Sequence, residues 1–160
     1  MNRKVLLIGY GNPGRRDDGL GPALAAGIER LGIPDVRVES DYQLTVEDAV
    51  DVAGHQVVIF ADADCRGPAP FSFSPLQPAA SQGFSSHGIE PQEVLGLAQT
   101  LFGRRPEAYL LGIRGYDFEP LQERLTAQAE KNLEASLRFL KSVLNRQSFR
   151  ESARRRGRKT

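Results

Sequence analysis

Short apolar runs alternate along this chain with amphipathic stretches of helical period. The runs at residues 4–8, 36–40, 56–61, 70–73 and 108–113 have the length of strands. Val57-Val58-Ile59-Phe60 has no polar position at all, which marks a strand covered on both faces. Residues 22–31, 45–53, 91–102 and 126–144 repeat their apolar positions with helical spacing. Leu24, Ala25, Ile28 and Leu31 form one such face, and Ala129, Leu133, Ser136, Leu137, Leu140 and Leu144 another, which docks the last helix on a sheet. Pro22 suits a first helical turn, where its missing N–H costs nothing. Thr45 and Asp48 have the spacing of a capping box, with aspartate in place of the usual Glu or Gln. The alternation predicts an α/β fold: a three-layer αβα sandwich, phosphorylase/hydrolase-like, around a mostly parallel central sheet of about five strands.

Charge divides the chain unevenly. The net charge is +1, but seven Lys/Arg and one Glu from Arg146 onward contribute +6, leaving −5 on the first 145 residues. The sequence therefore predicts one α/β domain over residues 1–145 and a basic, disordered tail over 146–160, a solvated appendage or a contact for an acidic partner. An acidic body argues against a nucleic-acid partner. The single cysteine, Cys65, excludes an internal disulfide and fits a reducing compartment. With no signal-like apolar core and no membrane-spanning run, the expected location is cytoplasmic, away from the membrane. Residues 64–88 form one long stretch rich in Pro, Ser and Gly, a length usually reserved for functional loops.

The first strand runs into G-Y-G-N-P-G-R-R-D-D-G-L-G at residues 9–21. Its first six residues satisfy G-x-G-x-x-G, so a dinucleotide site is the obvious reading, with Glu39 or Asp41 as the ribose acid. Against it, Pro13 precedes the third glycine, and Asp17-Asp18 place negative charge where a pyrophosphate would lie.

Open α/β sheets bind ligands beyond the carboxyl ends of their strands. Asp17 and Asp18, Asp62 with Asp64, and His87 all belong to that edge. Carboxylates and an imidazole from three loops suit zinc, nickel or a similar borderline ion. Each residue has a plainer role available: Asp17 or Asp18 as a cap for the following helix, Asp62 as turn chemistry, His87 as an exposed loop residue. His55, past a helix C-terminus, reads as structural. Cys65 with His87 would make a thiol–base pair, but nothing beyond Arg66 activates the thiol. Ser81, Ser85 and Ser86 lack a nucleophile elbow.

At these residues the chain resembles the nickel–iron hydrogenase maturation endopeptidases. The likeness rests on the glycine-rich acidic loop, S-D-Y-Q-L at 40–44, V-V-I-F-A-D-A at 57–63, S-S-H at 85–87 and E-R-L-T at 123–126. It spans roughly residues 4–145, and only the set is specific. The resemblance implies a protease that removes the C-terminal extension of a hydrogenase large-subunit precursor once nickel is in place. It implies Asp18, Asp62 and His87 as metal ligands, with Asp18 also catalytic and Asp17 as a neighbouring acid able to share that role. The nickel would come from the substrate as a recognition element, and cadmium or zinc could occupy the same site. Water activation stays open between Asp17 and a ligand released from the metal. Peptidyl-tRNA hydrolases also open with strand–G-x-G-N-P-G, but their tyrosine and histidine–asparagine pair are absent here. A nickel- or partner-binding maturation factor without cleavage is the non-enzymatic alternative.

Overall fold

A computed structural model describes residues 3–80 and 88–157. The chain runs β1 (Val5–Tyr10), α1 (Leu20–Leu31), β2 (Val36–Asp41), α2 (Asp48–Ala53), β3 (Val57–Asp64), β4 (Phe71–Pro75), α3 (Pro91–Phe102), β5 (Glu107–Arg114), α4 (Ala127–Arg146) and α5 (Phe149–Gly157). The sheet order is β2-β1-β3-β5-β4, with β4 antiparallel to β5 and the other pairs parallel. Strand alternation divides the interior. Val5 and Leu7 of β1, with Val57, Ile59 and Ala61 of β3, face a core completed by α1, α4 and α5. Leu6, Ile8, Val58 and Phe60 face the opposite core, completed by α2 and α3. Helices cover both faces, so the three-layer αβα arrangement expected from the pattern is the one observed.

Several boundaries differ from the expectation for local reasons. β1 continues to Tyr10 and β3 to Asp64, because pairing with β2 and β5 carries the ladder past the apolar runs. α2 starts at Asp48 rather than residue 45; residues 45–47 instead accept i→i+3 bonds from 48–50. The Thr45 amide donates to the Asp48 carboxylate at 2.8 Å, one half of the expected box. A complete capping box stands at α3, where Glu90 and Glu93 satisfy each other's amides ahead of Pro91.

The basic tail requires a correction. Most of it is not a solvated appendage: residues 149–157 form α5, whose Phe149 and Ala153 are buried in the first core. These two small patches of apolarity, four residues apart, define a helix face that the surrounding arginines obscure in composition. Phe149 lies 6.2 Å from the Tyr109 ring, and the Arg156 guanidinium covers the Phe71 ring at 3.9 Å. The domain thus extends through α5. Phe149→Ala should lower stability by about 3–5 kcal/mol, the usual range for deleting a buried aromatic ring. Urea unfolding would show the loss as a lower midpoint; an unchanged midpoint would return the segment to a dispensable tail.

Among the described residues, no helix is long and apolar enough to cross a membrane.

Candidate active site

The chain leaves β1 toward β2 on one side and, by way of β2 and α2, returns past it to β3 on the other. The carboxyl ends of β1 and β3 therefore flank the switch point, where a crevice forms in open α/β sheets. The glycine loop closes over this point. Gly11 has φ +142°, and a Cβ there would strike the Asp18 carbonyl. A Cβ on Gly21 would stand 2.6 Å from the Ala61 carbonyl oxygen, so only glycine lets the start of α1 rest on the ends of β1 and β3. The loop's own acceptors take its amides: Asn12 N–H donates to Asp18 at 2.8 Å, Gly14 N–H to the Asn12 side chain at 2.9 Å, and Arg15 N–H to the Asn12 carbonyl at 3.0 Å. Amides spent this way make no phosphate cradle. The glycines serve helix–strand approach, and a 3-10 turn, Arg16–Gly19, brings Asp18 down to the strand ends.

Asp62 sits half-buried in β3, in register with Gly112 of β5. The Tyr10 hydroxyl, at the end of β1, donates to its carboxylate. Burial raises the Asp62 carboxyl; the Ala63 amide, donating at 2.8 Å, and Tyr10 oppose this, while the charges of Asp18 and Glu90 add to it. The outcome is a carboxyl pushed up to about 7. Burial, with Asp62 and Glu90 close by, likewise raises the Tyr10 phenol. Asp18, in the 3-10 turn, thus stands close enough to Asp62, in β3, for its charge to oppose ionisation of the Asp62 carboxyl, a conflict that a bound cation relieves.

His87 lies outside the described residues, so its place relative to this pair is not defined. Among the described residues no three His, Cys, Asp or Glu side chains form a group able to hold a metal ion. Asp18 and Asp62 are two oxygen donors that suit a borderline divalent ion needing further ligands from elsewhere. Sequence reading overlooked Tyr10 and Glu90. Tyr10 stands inside the glycine motif, whose signal concerns the backbone and says nothing of that side chain. Glu90 was visible only as an acid before the Pro91 helix.

Asp17 is corrected. It does not share the crevice but is fully buried, at 0 % exposure. Its carboxylate accepts from the Tyr116 amide at 2.8 Å, the Asp117 amide at 3.1 Å, and the Thr126 amide and hydroxyl at 2.8 Å each. Burial alone would raise its pKa, but these bonds to Thr126, Tyr116 and Asp117 outweigh it and hold the carboxyl below the ordinary value. Every one of these donors serves to fix loop 115–126 against the glycine loop, so Asp17 has no free oxygen aimed at a ligand. Asp64 is turn chemistry as well, accepting the Arg66 and Gly67 amides at 2.9 Å each. His55 binds the Asp51 carbonyl at 2.7 Å, a structural use at the end of α2. Cys65 is an exposed free thiol.

No family model matches this chain, and no curated protein matches it. Solved structures do. The [NiFe] hydrogenase maturation protease HycI from Thermococcus kodakarensis KOD1 superposes with a TM-score of 0.71 at 20% identity, covering 89% of this chain and 93% of that one. The hydrogenase maturating endopeptidase HybD from E. coli gives 0.70 at 22% identity, covering 92% and 94%. The hydrogenase 2 maturation peptidase from a Thaumarchaeota archaeon gives 0.66 at 23% identity, covering 89% and 99%. Over nearly the whole chain, then, the fold is similar to that of hydrogenase maturation proteases.

Proposed function

We propose that this chain is a peptidase of hydrogenase maturation, which removes the C-terminal extension of a nickel-loaded hydrogenase large-subunit precursor. The observation that carries the reading is the Asp18–Asp62 pair at the β1/β3 switch point, two neighbouring carboxylates with the Tyr10 hydroxyl on Asp62. Such a pair is short of a cation, and the precursor's nickel supplies one. The fold likeness adds the chemistry of the neighbours, which are named as proteases.

In this reading nickel belongs to the substrate and is not a resident cofactor. Asp18 and Asp62, with His87 as the third ligand, complete the shell of an ion that the precursor already holds. Binding through the ion converts a loose encounter between two proteins into a local one at the scissile peptide. A precursor lacking nickel offers no anchor and is left intact. Asp17 takes no part; water activation falls to a ligand released from the metal, and Asp62, its carboxyl pushed up to about 7, can accept a proton near neutral pH once released.

The test is a gel-mobility assay on a purified large-subunit precursor, nickel-loaded or nickel-free, incubated with this protein. Trimming of the loaded form alone is expected. Equal trimming of both forms would remove nickel as the recognition element, and trimming of neither would remove the peptidase reading.

A further inference from the structure

A second cavity among the described residues does not belong to the crevice above. It is an open groove of about 840 Å³ at the opposite end of the sheet. Gln56 ahead of β3, Glu107 at the start of β5, Arg3 ahead of β1 and Pro75 at the end of antiparallel β4 all line it. Asp62 pairs with Gly112, five residues along β5 from Glu107, so about 17 Å of sheet separates the groove from the Asp18–Asp62 crevice.

Its electrostatics run against the rest of the protein. Arg3, His55, Arg104, Arg105, Arg150 and Arg154 line the groove, and Glu107 is its one acidic lining residue. Glu107 engages Arg150 at 2.9 Å and Arg3 at 3.4 Å, which satisfies those two. Arg105 is held along the rim by the Gln77 side chain at 2.6 Å, a neutral partner. Arg104, Arg105 and Arg154 form no ion pair among the described residues and are exposed.

We propose that this groove docks an acidic peptide segment of a partner protein. The unpaired guanidinia come from the α3–β5 connection and from α5, strung along an open trough rather than gathered at one point, so they match charges spaced along a chain. The trough is at the upper end of the size that suits a drug-sized ligand, far beyond a single phosphate. Pro75, Leu76 and Pro106 give it apolar walls for the stems of such a peptide. Because the body of the chain is acidic, this groove is where an acidic partner segment meets attraction instead of repulsion.

Binding of fluorescein-labelled decaglutamate, followed by anisotropy at low ionic strength, tests the proposal on the full chain. Arg104→Ala/Arg105→Ala/Arg154→Ala should weaken binding by about tenfold, three exposed pairings of roughly half a kcal/mol each. Lys131→Ala/Arg138→Ala/Lys141→Ala, which removes the same charge from exposed positions on α4, should change it by less than about twofold. Circular dichroism of both variants checks that the fold is unchanged. Equal losses in the two variants, or none in the first, would overturn the proposal. Tighter binding of decathymidylate than of decaglutamate would overturn it as well, making the surface one for nucleic acid.

Discussion

Asp62→Asn should lose trimming activity by a factor on the order of 10² or more while making the isolated protein more stable at pH 8. The two effects share one cause. In the folded chain, burial and the Asp18 charge push the Asp62 carboxyl up to about 7, against an ordinary value of 3.8. Between those two pH values the native state keeps a proton that the unfolded chain has released. Stability therefore falls as pH rises through this window and stays reduced above it. Asparagine does not titrate, so the variant's advantage should be small near pH 4 and reach a few kcal/mol by pH 8, each tenfold change in acidity being worth about 1.4 kcal/mol. Urea unfolding at both pH values, beside the precursor assay, separates the possibilities. A variant equally destabilised at both would show that Asp62 carries no charge conflict, and undiminished trimming would move the chemistry elsewhere. Because cation binding requires the ionised carboxylate, apparent affinity for added nickel should also rise with pH through the neutral range.

Much of this architecture was legible because it depends on local pattern. Val57–Phe60 could only be a covered strand, and the spacing of Leu24, Ala25 and Ile28 could only be one helix face. The glycine loop was legible in a different way: Pro13 and the acids excluded phosphates, and the structure supplies the reason for the glycines in the contact of α1 with the ends of β1 and β3. What stayed hidden depends on partners far away in sequence. α5 was masked because six of its nine residues are charged or polar, and only the remote Tyr109 and Phe71 reveal its buried side. Tyr10 gains its meaning from Asp62, fifty-two residues later, and no spacing rule connects them. Adjacent acids are the hardest case. Asp17 and Asp18 have the same chemistry in sequence, yet a single 3-10 turn points one into the interior and the other toward the crevice.

That division of labour gives the second large effect. Asp17→Ala should cost on the order of 3–5 kcal/mol, because the amides of Tyr116, Asp117 and Thr126 and the Thr126 hydroxyl lose a shared buried acceptor at once. Thr126 also caps α4 through its hydroxyl, accepting the Ala129 amide at 3.2 Å, so loosening this knot loosens the start of the longest helix. The pH dependence has the opposite sign from that of Asp62. Asp17 is held below its ordinary value, so its contribution is complete above about pH 4 and disappears as pH falls through the folded-state value. Wild type and Asp17→Ala should therefore converge in stability in acid and separate at neutral pH. Should the alanine variant not fold, Asp17→Asn and Thr126→Val each leave part of the knot in place and should show intermediate losses. The decisive comparison is trimming per folded molecule. A residue that only braces the loop leaves it near wild type in Asp17→Asn at a temperature where the variant is folded. A residue that handles the proton would abolish it there with little change in melting temperature, and that outcome would return Asp17 to the chemistry.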